Sequence, residues 1–176
     1  MIKIRVLSLN DLTPSMLNSF DRTQHTSRVL TYEKGEWQEK TDYFEDAWSP
    51  EEKRTITDHF YKTIESGGTV ITAEDGPHIA GFAVLEPGLF GKTAVYQELS
   101  YLHTDRRKRG RGIGRRLFQK AKEEAGAAGA EKLYIGAHPA TETQHFYRAM
   151  GCVPAKEINE TIYLREVRDI QLETDL

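Results

Sequence analysis

Arg109-Gly110-Arg111-Gly112-Ile113-Gly114 stands between two stretches of different period, and that junction decides the fold class. Before it, Val95 to Thr104 reads as a strand that ends in a very basic stretch. After it, Ile113, Leu117, Phe118, Ala121, Ala125 and Ala128 recur at helical spacing. The opposite face carries Arg115, Arg116, Lys120, Lys122, Glu123 and Glu124, and Gly129 supplies a stop. Lys132-Leu133-Tyr134-Ile135-Gly136-Ala137 then reads as a second strand, and a strand-helix-strand unit places its two strands in parallel.

Outward from this crossover the pattern is mixed. Upstream, Val70 to Ala73 and Ile79 to Leu85 flank a turn at Asp75-Gly76-Pro77, which predicts an antiparallel hairpin. Ser49 and Glu52 have capping-box spacing ahead of Ile56, His59, Phe60 and Ile64, a helix closed by Gly67-Gly68. Ile2, Ile4 and Val6 alternate with Lys3 and Arg5 as a first strand, and Thr13-Pro14 opens a short helix through Met16, Leu17 and Phe20. Residues 22–48 resist assignment beyond a turn candidate at Lys34-Gly35. Downstream, Thr141 and Gln144 repeat the capping-box spacing before Phe146, Tyr147 and Met150, with Gly151 as the stop. Short strands are expected near 153–155, 162–164 and 170–172. The sum is a mixed α/β chain, read as one domain over 1–176 with no repeat or linker.

Composition narrows the function classes. With 38% hydrophobic and 29% charged residues and a net charge of -3, neither disorder nor general polyanion binding is indicated. Cys152 is the only cysteine, which removes an internal disulfide and a cysteine-held zinc. The six histidines show no ligand spacing, so no metal is expected. The N-terminus lacks the apolar run of a signal peptide and no later stretch approaches 18 apolar residues, so a cytoplasmic protein without a membrane partner is expected.

A strand that ends in glycines and opens a helix aims several backbone N–H groups at one spot beside the positive end of the helix, which makes an anion site, most simply for phosphate. Three phosphate sites compete. A Walker A loop needs Lys-Ser/Thr after its last glycine, where Arg115-Arg116 stands. A dinucleotide fingerprint needs an acid closing the second strand, whereas Glu131 precedes it. The third is carried by more of the chain: Arg109-x-x-Gly112-x-Gly114 resembles the Arg/Gln-x-x-Gly-x-Gly/Ala motif with which the GNAT superfamily holds the pyrophosphate of acetyl-CoA. Phe146-Tyr147-Arg148-Ala149-Met150-Gly151 is similar to that family's later Phe-Tyr-x-x-x-Gly-Phe element, with Cys152 as the departure. The match covers roughly residues 69–153.

The resemblance implies a central, mixed but mostly antiparallel sheet of six to seven strands flanked by about four helices. A splayed parallel pair would sit at the cofactor site. It implies transfer of an acetyl group from acetyl-CoA to a primary amine by direct attack in a ternary complex; a non-catalytic acyl-CoA-binding sensor is the alternative. Backbone groups near Leu102, His103 and Thr104 would pair with the pantetheine arm, and one N–H would polarise the thioester carbonyl. Arg109, Gly110, Arg111, Gly112, Ile113, Gly114 and Arg115 would take the pyrophosphate. Seven basic residues between Arg106 and Arg116 suit the phosphates of CoA. Without interleaved aromatics they do not suit a nucleic-acid partner.

Tyr147 matches the family tyrosine that protonates the departing thiolate, and Glu98 stands where some members place the base for the amine. His138 and Thr141 fall where many members contact the cofactor, although the family's asparagine position holds Ala140 here. The acceptor, a small-molecule or peptide amine, would be received by about Phe20 to Trp48, with Gln24, His25, Trp37 and Trp48 as places to look. A homodimer is compatible with this reading.

Overall fold

The computed structural model describes residues 1–176. Nine strands are present: β1 (Ile2–Val6), β2 (Gln24–Glu33), β3 (Glu36–Asp46), β4 (Thr69–Asp75), β5 (His78–Leu85), β6 (Tyr96–Thr104), β7 (Lys132–Ala137), β8 (Val153–Pro154) and β9 (Ile170–Asp175). Four α-helices join them: α1 (Pro50–Glu65), α2 (Ile113–Ala127), α3 (Thr141–Ala149) and α4 (Glu160–Arg165). Seven strands form one sheet in the order β1-β4-β5-β6-β7-β9-β8, with β6-β7 as its only parallel pair; β2 and β3 form a separate hairpin. This is the GNAT-like α/β arrangement expected from the sequence. No helix is long and apolar enough to cross a membrane.

Each face of the sheet is covered by helices whose apolar stripes were readable. On one face Ile113, Leu117, Phe118, Ala121 and Ala125 of α2 are buried against Ile71, Ala83, Leu99 and Ile135. On the other, Ile56 and Phe60 of α1 meet Val70, Phe82 and Val84, together with Leu17 and Phe20 from the N-terminal segment. The Ser49 capping box forms as predicted: Ser49 N–H donates to Glu52 Oε2 at 2.7 Å and Glu52 N–H donates to Ser49 Oγ at 3.1 Å.

Three local expectations are corrected and one unassigned stretch is resolved. After Thr13-Pro14 no α-helix forms. Met16, Asn18 and Phe20 N–H instead donate three residues back, to Thr13, Ser15 and Leu17, in successive tight turns that still bury Leu17 and Phe20. The unassigned stretch becomes the β2-β3 hairpin, turning at Lys34-Gly35, both with positive φ. Residues 162–164 are helical, not a strand, because Asn159 Oδ1 accepts from Ile162 N–H at 3.1 Å and caps α4, overriding the β-branched local preference. The cap of α3 is Ala140, so Thr141 and Gln144 make no capping box. Gln144 Nε2 reaches back instead to the carbonyls of His138 (2.7 Å) and Ala137 (3.3 Å) and fastens the end of β7.

Candidate active site

The strand pair β6-β7 is in register only over Tyr96–Glu98 against Lys132–Tyr134. Beyond Glu98 β6 continues to Thr104 hydrogen-bonded to β5 alone, and β7 continues to Ala137 bonded to β9 alone. The two strands therefore part, and the facing edge of β6 along Leu102-His103-Thr104 is left without a ladder. A cavity of about 560 Å³ opens there. Its wall includes Leu102, His103, Thr104, Arg109, Gly110, Gly112, Ile113, Gly114 and Arg115, joined by Glu142, Thr143, Phe146, Tyr147, Ala149 and Met150 from α3 and its end.

At one end of the cavity the glycine turn has the geometry of an anion site. Gly110 and Gly112 adopt φ of 77° and 75°, left-handed conformations that cost a side-chain-bearing residue about 1–2 kcal/mol. Between Arg109 and Arg115 no backbone N–H donates to a carbonyl, and the first that does is Arg116, to Gly112 O at 3.1 Å. These donors point out of the first turn of α2, where the helix dipole adds to them.

At the other side Tyr147 is only 6% exposed, edge-on to Phe146 and Phe118, with ring centroids 5.3 and 6.1 Å away. Burial raises its hydroxyl pKa, with Cys152 and Asp169 adding to the effect, so the phenol is held neutral. The Cys152 thiol beside it is likewise pushed up to about 12 by burial and is inert.

The family model of the GNAT acetyltransferases matches residues 34–152. The chain belongs to this acetyltransferase family. No curated protein matches it. Among solved structures it is similar to nourseothricin acetyltransferase, with 17% identity over 99% of this chain and 98% of that one and a TM-score of 0.70. It is also similar to a Bacillus anthracis str. Ames protein described as a streptothricin acetyltransferase in complex with acetyl coenzyme A (18% identity, 100% and 98% covered, TM-score 0.71). A third is a GNAT family acetyltransferase from Elizabethkingia anophelis with acetyl-CoA bound (17%, 99% and 98%, 0.59).

Within this acetyltransferase the basic run divides by what each cation touches. Lys108 Nζ pairs with Asp75 at 2.6 Å, and Arg107 grips Asp105 and the Ser19 carbonyl. Burial alone would raise the Asp105 carboxyl, but Arg107 and the backbone N–H groups of Asp21 and Arg107 outweigh it and hold the pKa at about 2. Arg109 donates to three carbonyls, Thr104 (3.2 Å), Thr23 (2.9 Å) and Arg22 (2.9 Å). Its side chain thus ties the segment before β2 to the end of β6. Arg116 donates to Ile2 O at 3.1 Å. Arg106, Arg111 and Arg115 are exposed and make no ion pair, which leaves three cations around the turn; Arg115 lines the cavity and Arg111 does not.

Glu98, His138 and Thr141 lie outside the cavity wall. Glu98, in the last parallel pair before the strands part, is buried and accepts from Arg165 Nη2 at 2.5 Å. Burial raises its carboxyl and Arg165 pulls it back down. His138 closes β7, with Nε2 2.9 Å from Asp46 Oδ2 and Nδ1 accepting from Ala140 N–H, and burial lowers its pKa. Thr141 Oγ1 is buried without a partner. Of the places flagged for the acceptor, Gln24 and His25 line the cavity, and Trp48 stacks edge-on to His103 at 4.9 Å. Trp37 packs under Arg148 instead. Arg22, also on the wall, was missed: it stands in a segment without periodicity, and only the folding of β2 onto α3 brings it in.

Proposed function

We propose that residues 1–176 act as one N-acetyltransferase domain that moves an acetyl group from acetyl-CoA to a primary amine. The observation that carries this reading is a strand pair that parts at Glu98 and leads, through an unpaired β6 edge, to a turn of unpaired amides on the same cavity as Tyr147. The donor fits because that cavity offers N–H groups and cations at the turn and a ladderless, amide-like edge along the strand, which suit a diphosphate and a pantetheine arm respectively. Bound acetyl-CoA would supply the activated thioester.

The amides of Gly110 to Arg115 hold the diphosphate, with Arg111 and Arg115 adding charge. The free backbone groups of Leu102 to Thr104 orient the arm, and one N–H polarises the carbonyl. Tyr147 Oη, kept neutral by burial, gives its proton to the departing sulfur. Glu98 takes the proton of the amine through water, since it lies at the root of the splay and not on the cavity wall. The primary amine attacks as its free base, and the proton it sheds as the amide forms is the one Glu98 accepts.

The test is a thermal titration with acetyl-CoA followed by thiol release over a panel of amines. Stabilisation together with turnover supports the reading, stabilisation without turnover of any amine reduces it to an acyl-CoA-binding module, and no stabilisation at millimolar ligand removes it. The base role has its own signature. Arg165 lowers the Glu98 pKa, so Arg165→Met leaves the carboxyl protonated to higher pH. The acidic limb of kcat/KM is then expected to move up in pH, and Glu98→Gln to abolish that limb. A limb that stays where it was in both variants would assign the base elsewhere.

A further inference from the structure

Arg22 is 6% exposed, yet no carboxylate forms an ion pair with it. Its Nη1 donates to the neutral Gln24 Oε1 at 2.9 Å, its Nε is buried without any partner, and its guanidinium carbon stands 5.7 Å from the centre of the Trp48 ring. Its main chain is pinned. Arg109 Nη2 holds the Arg22 carbonyl at 2.9 Å, and Asp105 Oδ2 holds the N–H of Asp21 at 3.0 Å. Asp46 attracts the guanidinium without an ion-pair contact, and burial outweighs that attraction. A buried cation that has lost its water and has no hydrogen-bonded anion is costly, unless a ligand brings the anion.

The surroundings of the guanidinium bear on which ligand. Its carbon stands over Trp48, whose ring lies 4.9 Å from His103 of β6, and Arg22 lines the cavity that Gly110, Gly112 and Gly114 also line. The turn has its own unpaired cations in Arg106, Arg111 and Arg115, so the phosphates of the donor do not require Arg22. His103 beside it brings no second charge, because burial and then the nearby Arg22, Arg109 and His138 keep its pKa well below the ordinary histidine value. Two acids stand by the end of β7: Asp46, which His138 engages at 2.9 Å and which also attracts Arg22, and Asp169, whose Oδ2 would lie 3.8 Å from a Cβ on Gly136.

Resting on the proposed acetyl transfer, we propose that Arg22 binds a carboxylate of the acceptor, so that the acceptor is a small amino acid, with its amine toward the thioester and its carboxylate forked by the guanidinium. A planar fork of donors suits a carboxylate in two parallel hydrogen bonds.

The experiment uses the full chain loaded with CoA, a panel of free amino acids and their carboxamides, thermal shift for binding, and thiol release from acetyl-CoA for turnover. Free carboxylates are expected to bind and react about 10- to 100-fold better than the matching carboxamides, the loss typical of one charge-assisted hydrogen-bonded contact. Arg22→Gln is expected to bring that ratio close to one while stabilisation by acetyl-CoA persists, and Arg22→Lys to keep part of it. Equal binding of acids and amides by the unaltered protein overturns the proposal, and so does an unchanged preference in Arg22→Gln. Loss of acetyl-CoA binding in Arg22→Gln with the acid preference intact would assign the guanidinium to the donor. Carboxylate binding that depends on Arg22 but never leads to turnover would uphold the site and remove the transferase reading. If Arg22→Gln does not fold, the acid-to-amide ratio of the unaltered protein decides.

Discussion

Tyr147→Phe is expected to lower kcat by about 10²- to 10³-fold, the range of a general acid, while the KM for acetyl-CoA stays within a factor of two or three. At about 1.4 kcal/mol for each tenfold change, the lost transition-state stabilisation is about 3–4 kcal/mol. The ring of Tyr147 is locked between Phe146 and Phe118, so phenylalanine keeps the packing and removes only the hydroxyl. No protein group hydrogen-bonds that hydroxyl; the causes of its raised pKa are burial and the neighbouring Cys152 and Asp169. Thermal stability should therefore be unchanged or slightly raised, because no buried partner is orphaned. A thermal melt beside steady-state kinetics makes the distinction: a fall in kcat with an unaltered melting temperature assigns the hydroxyl to chemistry, and unaltered kcat removes the acid role. The high pKa suits the role, because a phenol that resists ionisation still carries its proton when the thiolate departs.

Gly112→Val is expected to raise the KM for acetyl-CoA by about 100-fold and to erase stabilisation by the ligand. Two effects add. Gly112 caps α2 with φ 75° and ψ 8°, a conformation that costs a side-chain-bearing residue about 1–2 kcal/mol and a β-branched one more. A Cβ built there meets no atom within 4 Å, so the valine would project into the open space over the unpaired amides, where the diphosphate is proposed to sit. At about 1.4 kcal/mol per tenfold in affinity, strain and occlusion together reach the expected factor. Isothermal titration with CoA reads it directly. A Gly112→Val protein that binds CoA as the unaltered protein does would separate the turn from the donor.

Much of this architecture was legible because it rests on local physics. The period of α2, the glycines after β6 and the parallel return through β7 needed only helical spacing, left-handed glycines and the handedness of crossovers to read. The Ser49 capping box formed as written, since both partners of a box lie three residues apart and need nothing from the rest of the chain. Where other partners intervened, the reading failed. The strand expected at 162–164 became α4 through the local Asn159 cap, and Tyr134 Oη, 25 residues away, holds that cap residue by accepting from Asn159 N–H at 2.9 Å. No capping box forms at Thr141: Ala140 is the cap, Gln144 reaches back to the His138 carbonyl, and β2 docks beside it with Leu30 N–H on the Pro139 carbonyl at 2.9 Å.

The candidate site divides along the same line. Sequence by itself pointed to the proposed donor end: Gly110, Gly112 and Gly114 fall within one five-residue run, and adjacent amides where a strand opens into a helix suit an anion. It also singled out Tyr147, through a motif internal to one helix. Only the tertiary structure decided what each charge does. Lys108, Arg107, Arg109 and Arg116 look alike in the sequence as phosphate ligands, yet Asp75, Asp105, the Thr104, Thr23 and Arg22 carbonyls, and the Ile2 carbonyl claim them across the fold. Arg22 looks like nothing in the sequence, and becomes a buried cation of the cavity without an ion pair because Trp48 and His103, which pack near it, lie 26 and 81 positions away and bring no acid. Backbone donors are placed by local dihedrals, whereas the partner of a side-chain charge is chosen by long-range packing.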